Sequence, residues 1–294
     1  FRGCIKLHIS TSIVTSFHLL NVKEKFLLYL KNFEILKIFA STFRNLRRRI
    51  NNLFRVDSDY AFISGRQELK IKKFNNSVTL SSSLDYNEYL EIKKNKKKIK
   101  ANQIVYLDQN LLYHREFYVT KEGYLNKKNF LEFYNKLKIF LDDIHNKKKC
   151  KIVICLHPRC KSEGFKFLKK KFNSPQYIFS RDTSLEIQKS KLVILNYSNA
   201  HQLAVLYKKP MLIVHNFSKK YFDYEVKNKV INTISKNLGV PILNFINNKP
   251  NFKISYKYNK KKYEKYILNY LSSVYPKKIS SWNIVINKLK EIKL

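Results

Sequence analysis

Three polar clusters stand where short apolar runs end. His157-Pro158-Arg159 follows Lys151-Ile152-Val153-Ile154-Cys155-Leu156. A histidine and an arginine two residues apart, with a proline stiffening the turn, can both contact one phosphate or nucleotide. Asn196-Tyr197-Ser198-Asn199 follows Leu192-Val193-Ile194-Leu195. Ser198 and Asn199 both suit a helix N-cap, and a helix N-terminus presents backbone N–H groups to an anion. Asp108-Gln109 follows Ile104-Val105-Tyr106-Leu107, with His114, Arg115 and Glu116 soon after. Asp108 is the candidate general base. Each cluster also has a plain reading as a turn, a cap or loop polar groups. His201, three positions after Ser198, is a lesser candidate, and His8, His18, His145 and His215 have no companions that single them out.

These clusters need elements that carry them to one place. Apolar runs of four to six residues recur at 104–107, 151–156, 177–179, 192–195 and 211–214. Between them, apolar spacing of three and four predicts helices over 127–145, 162–172, 183–189 and 199–207, with Thr183 and Glu186 as a capping box. Fully apolar strands alternating with helices mean a parallel sheet covered on both faces. Ligands of such sheets bind at the carboxyl ends of the strands, where all three clusters fall. Earlier in the chain, 26–50 has helical periodicity and ends in Arg44, Arg47, Arg48 and Arg49. The first fifty-five residues as a whole read as helix, either packed or lying on a membrane surface. Strands are expected at 59–65 and 77–80 and a helix at 84–92. The charged run 93–100 is read as a linker and domain boundary. Closing helices are expected at 263–273 and 281–292.

Composition removes several alternatives. Hydrophobic residues make up 44% of the 294 and aromatics 14%, so the chain is not disordered throughout. The five glycines, at 3, 65, 123, 164 and 239, lie too far apart for a G-x-G-x-x-G or a phosphate loop. No apolar stretch is long enough for a membrane span. The net charge of +38 suggests nucleic acid, but 49 of the 59 basic residues are Lys and only 10 are Arg. With 30 Asn and little Gly, this composition points to AT-rich coding. The Lys runs then read as solvated faces and loops, and no specific nucleic-acid partner is expected. Cys150, Cys155 and Cys160 are five apart, which is not zinc spacing; they read as reduced cytosolic thiols. No acidic cluster follows a strand, so no metal is expected. Residue 1 is Phe, and the chain is expected to lack its natural start.

The series Tyr106-Leu107-Asp108-Gln109, Cys155-Leu156-His157-Pro158-Arg159, Leu192 to Asn199 and Ala204 to Pro210 resembles the donor half of bacterial GT-B glycosyltransferases of surface polysaccharide synthesis. The His-Pro pair and the later Ser are similar to those of sialyltransferases and of wall-polymer transferases that use CDP-linked donors. The resemblance covers about residues 104–215. It implies an α/β, GT-B-like fold: a truncated N-terminal acceptor-side domain over 1–98, a Rossmann-like parallel-sheet domain binding the nucleotide-sugar over 99–275, and a helix over 276–294 returning to the first domain. It implies that His157 and Pro158 line the nucleotide, that Ser198 binds phosphate, and that Arg159 and Asn199 join them. Asn199 departs from the family's Ser-Ser or Ser-Thr form. The family's acidic motif is not matched; Asp57-Ser58-Asp59 is a poor substitute. The implied reaction moves a sugar from a nucleotide-sugar, with CMP as one carrier, to a polysaccharide or lipopolysaccharide acceptor. The nucleotide-sugar is a substrate and no cofactor is needed. A glycan or glycolipid acceptor and peripheral contact with an anionic membrane are the expected partners. The expected place is the cytoplasm, at the inner face of its membrane. The rivals are a nucleotide-sugar epimerase of the same fold and a non-enzymatic basic protein that binds RNA or membrane.

Overall fold

A strand that is apolar on both faces must be covered on both, and the larger of the chain's two parallel sheets meets that demand. The computed structural model describes residues 7–9, 60–71, 77–94, 101–113, 121–215, 224–245 and 254–292. The first sheet holds β1 (Leu7–Ile9), β2 (Tyr60–Ile63) and β3 (Ser77–Leu80), in that order and all parallel. Helices α1 (Arg66–Ile71) and α2 (Leu84–Lys94) follow β2 and β3. Helix was expected over the first fifty-five residues, but Leu7–Ile9 pairs in parallel with β2 as a strand; the periodic stretch 26–50, the Arg44–Arg49 cluster, Asp57-Ser58-Asp59, most of the charged run and His114 to Glu116 lie outside the described residues.

The second sheet is larger. Its elements in chain order are β4 (Gln103–Leu107), α3 (Lys121–Lys148), β5 (Lys151–Cys155), α4 (Ser162–Lys171), β6 (Tyr177–Ser180), α5 (Thr183–Gln188), β7 (Ser190–Leu195), α6 (His201–Leu206), β8 (Met211–His215), α7 (Tyr224–Leu238) and β9 (Ile242–Asn244). The spatial order is β6-β5-β4-β7-β8-β9, every neighbour parallel. Counted from β4 this is 3-2-1-4-5-6, the doubly wound order. The fold is α/β with parallel sheets, as expected. The chain steps outward from β4 to β6, then crosses back to lay β7 on the other side of β4.

Each expected strand of this sheet forms, with ends shifted by one or two residues. Val105, Tyr106, Ile152, Ile154, Val193, Ile194 and Ile213 are fully enclosed. The face of α3 made by Phe130, Phe133, Tyr134, Leu137, Phe140, Leu141 and Ile144 is buried throughout; each such side chain contributes about 1.5–3 kcal/mol. The cap of α5 is corrected: Asp182 accepts from the Leu185 N–H at 3.0 Å, one residue before Thr183. Glu186 instead accepts from the Gln103 amide at 2.6 Å, tying α5 to β4. Lys147, Lys148 and Lys169 to Lys171 occupy the last turns of α3 and α4, where cations complement the helix dipole. Among the described residues no helix is long and apolar enough to cross a membrane.

The closing part of the chain joins the two sheets. Helix α8 (Lys260–Tyr266) runs into a π-helical turn, Ile267–Leu271. Ser272 and Ser273 then lie against the ends of β2 and β3. The Ser273 hydroxyl, with one proton to give, lies 2.7 Å from the Ile63 carbonyl and 2.8 Å from that of Ser81, and accepts from the Ser81 N–H at 2.8 Å. Ser82 pairs with Ser272 at 2.9 Å. Gly65 is required here, because a Cβ would sit on the Asn269 carbonyl and 2.7 Å from the Cα of Tyr270. Helix α9 (Ser281–Glu291) is seated by Asn87, whose Oδ1 accepts from the Ser281 N–H at 2.8 Å.

Candidate functional site

The β4/β7 boundary, where the winding reverses, is the topological switch point at which doubly wound sheets bind ligands. Leu107 of β4 is in register with Cys155 of β5 and Leu195 of β7. Asp108, His157 and Asn196 to Ser198 therefore leave the sheet along one rim. β5 and β7 lie two strand spacings apart, about 10 Å.

Asp108 is buried, and both its oxygens are engaged. Oδ1 accepts from the Tyr134 hydroxyl at 2.7 Å and Oδ2 from the Asn110 N–H at 2.8 Å. The same Tyr134 oxygen accepts from the Leu111 N–H at 3.3 Å. Burial pushes the Asp108 carboxyl up to about 6, against the lowering effect of these bonds. The expectation of a general base at Asp108 meets a steric obstacle: at 2% exposure the carboxylate faces α3 and its own loop. Its work in this structure is to shape the turn after β4. Asn110, at φ 51°, completes that turn, and its Oδ1 lies where a Cβ on Gly164 would stand, 2.6 Å away. Gly164 thus lets the first turn of α4 approach the rim.

His157 is half-buried, while Pro158 and Arg159 are exposed. The Arg159 N–H donates to His157 Nδ1 at 3.2 Å, and the Cys160 N–H donates to the His157 carbonyl at 2.8 Å. The first bond sets a neutral His157 as the Nε2–H tautomer. Arg181, after β6, donates to the Cys160 carbonyl at 3.1 Å, bracing the His157 turn from the adjacent strand. Nothing in the sequence distinguished Arg181, since only the strand order makes it a neighbour of Arg159.

The turn after β7 differs from expectation. The helix begins at His201, with Ala200 in the cap position and no side-chain cap. Ser198 Oγ accepts from the Ala200 N–H at 3.3 Å, so Ser198 closes a local turn, and Asn199 is exposed. The six-residue α6 is too short to supply the expected anion site by itself. His201 takes a structural place. Its Nδ1–H donates to the Ser198 carbonyl at 2.7 Å, and Nε2 accepts from the Tyr266 hydroxyl at 2.8 Å. Burial holds its pKa down at about 4, so the ring stays neutral and clamps the turn to α8. His215, at the end of β8, is likewise held at about 4 by burial.

Asn196 opens the second of the three clusters, but the roles there were expected of Ser198 and Asn199. It is fully buried, and neither Oδ1 nor Nδ2 has a hydrogen-bond partner among the described residues. The Tyr106 hydroxyl on the adjacent strand is in the same condition; burial and the Asp108 charge both raise its pKa well above the ordinary value. Buried polar atoms left unpaired cost about 1–3 kcal/mol each, and such atoms gather at binding sites. The sequence signal was present in a weak form, since an Asn breaks the apolar run of β7. Among the described residues no three His, Cys, Asp or Glu side chains gather as a metal set. Cys150, Cys155 and Cys160 are free and buried.

No protein-family description matches the sequence, and no curated protein matches it. Similar solved structures exist at low identity. The MnaA–UDP structure from S. aureus is 13% identical with a TM-score of 0.41, covering 81% of this chain and 60% of that one. The Methanocaldococcus jannaschii UDP-GlcNAc 2-epimerase in complex with UDP-GlcNAc and UDP is 13% identical with a TM-score of 0.38, covering 71% of this chain and 60% of that one. The glycotransferase of kitacinnamycin is 10% identical with a TM-score of 0.35, covering 83% of this chain and 58% of that one. The chain therefore spans less than two thirds of the length of each.

Proposed function

We propose that the crevice at the carboxyl ends of β4, β5 and β7 binds a nucleotide-sugar, and that the chain is a glycosyltransferase acting on a surface polysaccharide or lipopolysaccharide. The observation that carries this reading is the shared rim: the His157 turn and the Asn196 to Ser198 turn flank the switch point of a doubly wound sheet. Sugar transfer breaks the bond between the anomeric carbon and the leaving phosphate oxygen, and forms one to an acceptor oxygen. Charge grows on the departing nucleotide. In this reading Arg159 and His157 stabilise it, which is electrostatic catalysis. Asp108 and Tyr134 act as positioning residues for the loop after β4.

The test is calorimetric titration with CMP, CDP, UDP, GDP and ADP. One nucleotide should bind, and His157→Ala and Arg159→Ala should each weaken it by about ten- to a hundredfold, the worth of a charge-assisted hydrogen bond. Both side chains lie past the end of β5 and add little to the core, so melting should be unchanged. Wild-type affinity in both variants, or no nucleotide bound, overturns the assignment. Incubating the bound nucleotide's sugar conjugate without acceptor separates the rival: inversion within an intact nucleotide-sugar would make the chain an epimerase.

A further inference from the structure

Helix α9 buries one flank and leaves its neighbour bare. Ser281 and Val285 are buried on the side seated by Asn87. Trp282 and Ile286, four residues apart and so on one face, are 53% and 48% exposed. Half-buried Leu289 continues the stripe toward the buried side. Trp282 is the one tryptophan of the chain. Along the helix's own stretch of chain the charge is nearly of one sign, although α2, which seats it, carries Asp85, Glu88 and Glu91. Residues 265–294 contain Lys265, Lys277, Lys278, Lys288, Lys290 and Lys293 against one acid, Glu291. That acid already accepts from Lys288 at 2.9 Å. Lys277, Lys278 and Lys290 are exposed, two just before the helix and one in its last turn.

An indole and a branched alkyl group bordered by lysines match one kind of surface in both respects. The headgroup zone of an anionic bilayer takes aromatic and aliphatic side chains at its boundary and binds lysines through lipid phosphates. A free phosphate would use the lysines and leave the apolar stripe in water. At 11 residues the helix is about 16 Å long, which suits a helix lying on the membrane rather than crossing it. We propose that α9 and the Lys277-Lys278 turn dock on an anionic lipid surface, with Trp282 and Ile286 inserted at the interface. This inference stands apart from the nucleotide-sugar reading.

The lone tryptophan makes the test direct. Its emission is followed while the full chain is titrated with vesicles of phosphatidylcholine containing phosphatidylglycerol, or of phosphatidylcholine alone. Anionic vesicles should shift the emission to the blue, brominated acyl chains should quench it, and salt should weaken both effects. Lys277→Gln, Lys278→Gln and Lys290→Gln together should weaken partitioning about a hundredfold, at about fivefold per lysine. Trp282→Ala with Ile286→Ala, changes at exposed positions, should abolish co-sedimentation while leaving melting unchanged. Co-sedimentation with no change in emission, or undiminished in that double variant, would mean that the general charge binds elsewhere and would overturn the proposal. Equal partitioning onto neutral vesicles would also overturn it. So would a blue shift that grows with protein concentration in the absence of lipid, which would give this face to a second copy of the chain.

Discussion

Replacing Tyr134 by Phe removes one buried oxygen and two hydrogen bonds. The phenol donates to Asp108 at 2.7 Å and accepts from the Leu111 N–H at 3.3 Å. Tyr134 and Asp108 are 1% and 2% exposed, so water does not replace the lost group. A bond to an ionised acceptor is worth about 1.5–3 kcal/mol, and a stranded N–H adds roughly 1 kcal/mol. The expected loss at about pH 8 is therefore about 2–4 kcal/mol, or roughly 4–16 °C in melting temperature for a unit of this size. The pH dependence is the sharper part. Burial raises Asp108 in the folded chain to about 6, above its unfolded value of about 3.9. The stability linked to that held proton is complete below about pH 4 and is lost as pH rises to about 6. Without the Tyr134 bond the carboxyl moves higher still, so the loss continues above pH 6. The deficit of Tyr134→Phe should thus be smaller near pH 4.5 than near pH 8. His201 and His215 titrate in the same window with the opposite sign, but both proteins share them and the difference cancels them. Denaturant melts of the two proteins at both pH values measure it. Equal deficits at the two pH values, or one below about 0.5 kcal/mol at pH 8, would refute the argument.

Three other changes test the remaining framework. Gly65→Ala should destabilise by about 1–3 kcal/mol, because the new Cβ meets backbone of the π-helical turn; a melt within 1 °C of wild type would contradict this. Ser273→Ala removes the hydroxyl's contacts with the Ser81 N–H and the Ile63 and Ser81 carbonyls but leaves the backbone bonds from Ser81 N–H to the Ile63 carbonyl and from Ser273 N–H to the Ser81 carbonyl, so chemical denaturation should show a loss of only about 1 kcal/mol. His201, held at about 4 against an ordinary 6.5, supports the fold fully above about pH 6.5 and less as pH falls toward 4, by about 3 kcal/mol at most. His201→Gln should therefore flatten the acid limb of a stability–pH curve while lowering its plateau.

The second sheet was legible because its strands are buried on both faces, and a run such as Ile152-Val153-Ile154-Cys155 has no other use. β9 was not, since three residues with only Leu243 fully buried carry no periodic signal. The helix over 224–238 was missed for a different reason: its buried Val230, Ile231, Ile234 and Leu238 are separated by Asn, Thr, Ser and Lys that dilute the apolar pattern. At the rim, the three clusters could be read from polar residues that end apolar runs. Their inner partners could not. Tyr134 reads as one more core residue of α3, and its hydroxyl gains meaning only from Asp108, 26 positions away in sequence. The Ser198 turn was misjudged because Ser and Asn are good caps in general, whereas here the His201 ring holds the Ser198 carbonyl from inside.

The serine strap has a consequence for synthesis. Ser273 bonds to Ile63 across 210 positions and to Ser81 across 192. At roughly 5–20 residues per second, a ribosome needs about 10–40 seconds to cover that interval. During it the ends of β2 and β3 have been made while Ser272 and Ser273, which close them, have not. The sheet from β4 to β9 is complete by Phe245, well before the strap emerges. The larger sheet is therefore complete before the strap that clasps β2 and β3 has been made, and until then the Ser81 carbonyl lacks the Ser273 N–H that it accepts from at 3.0 Å.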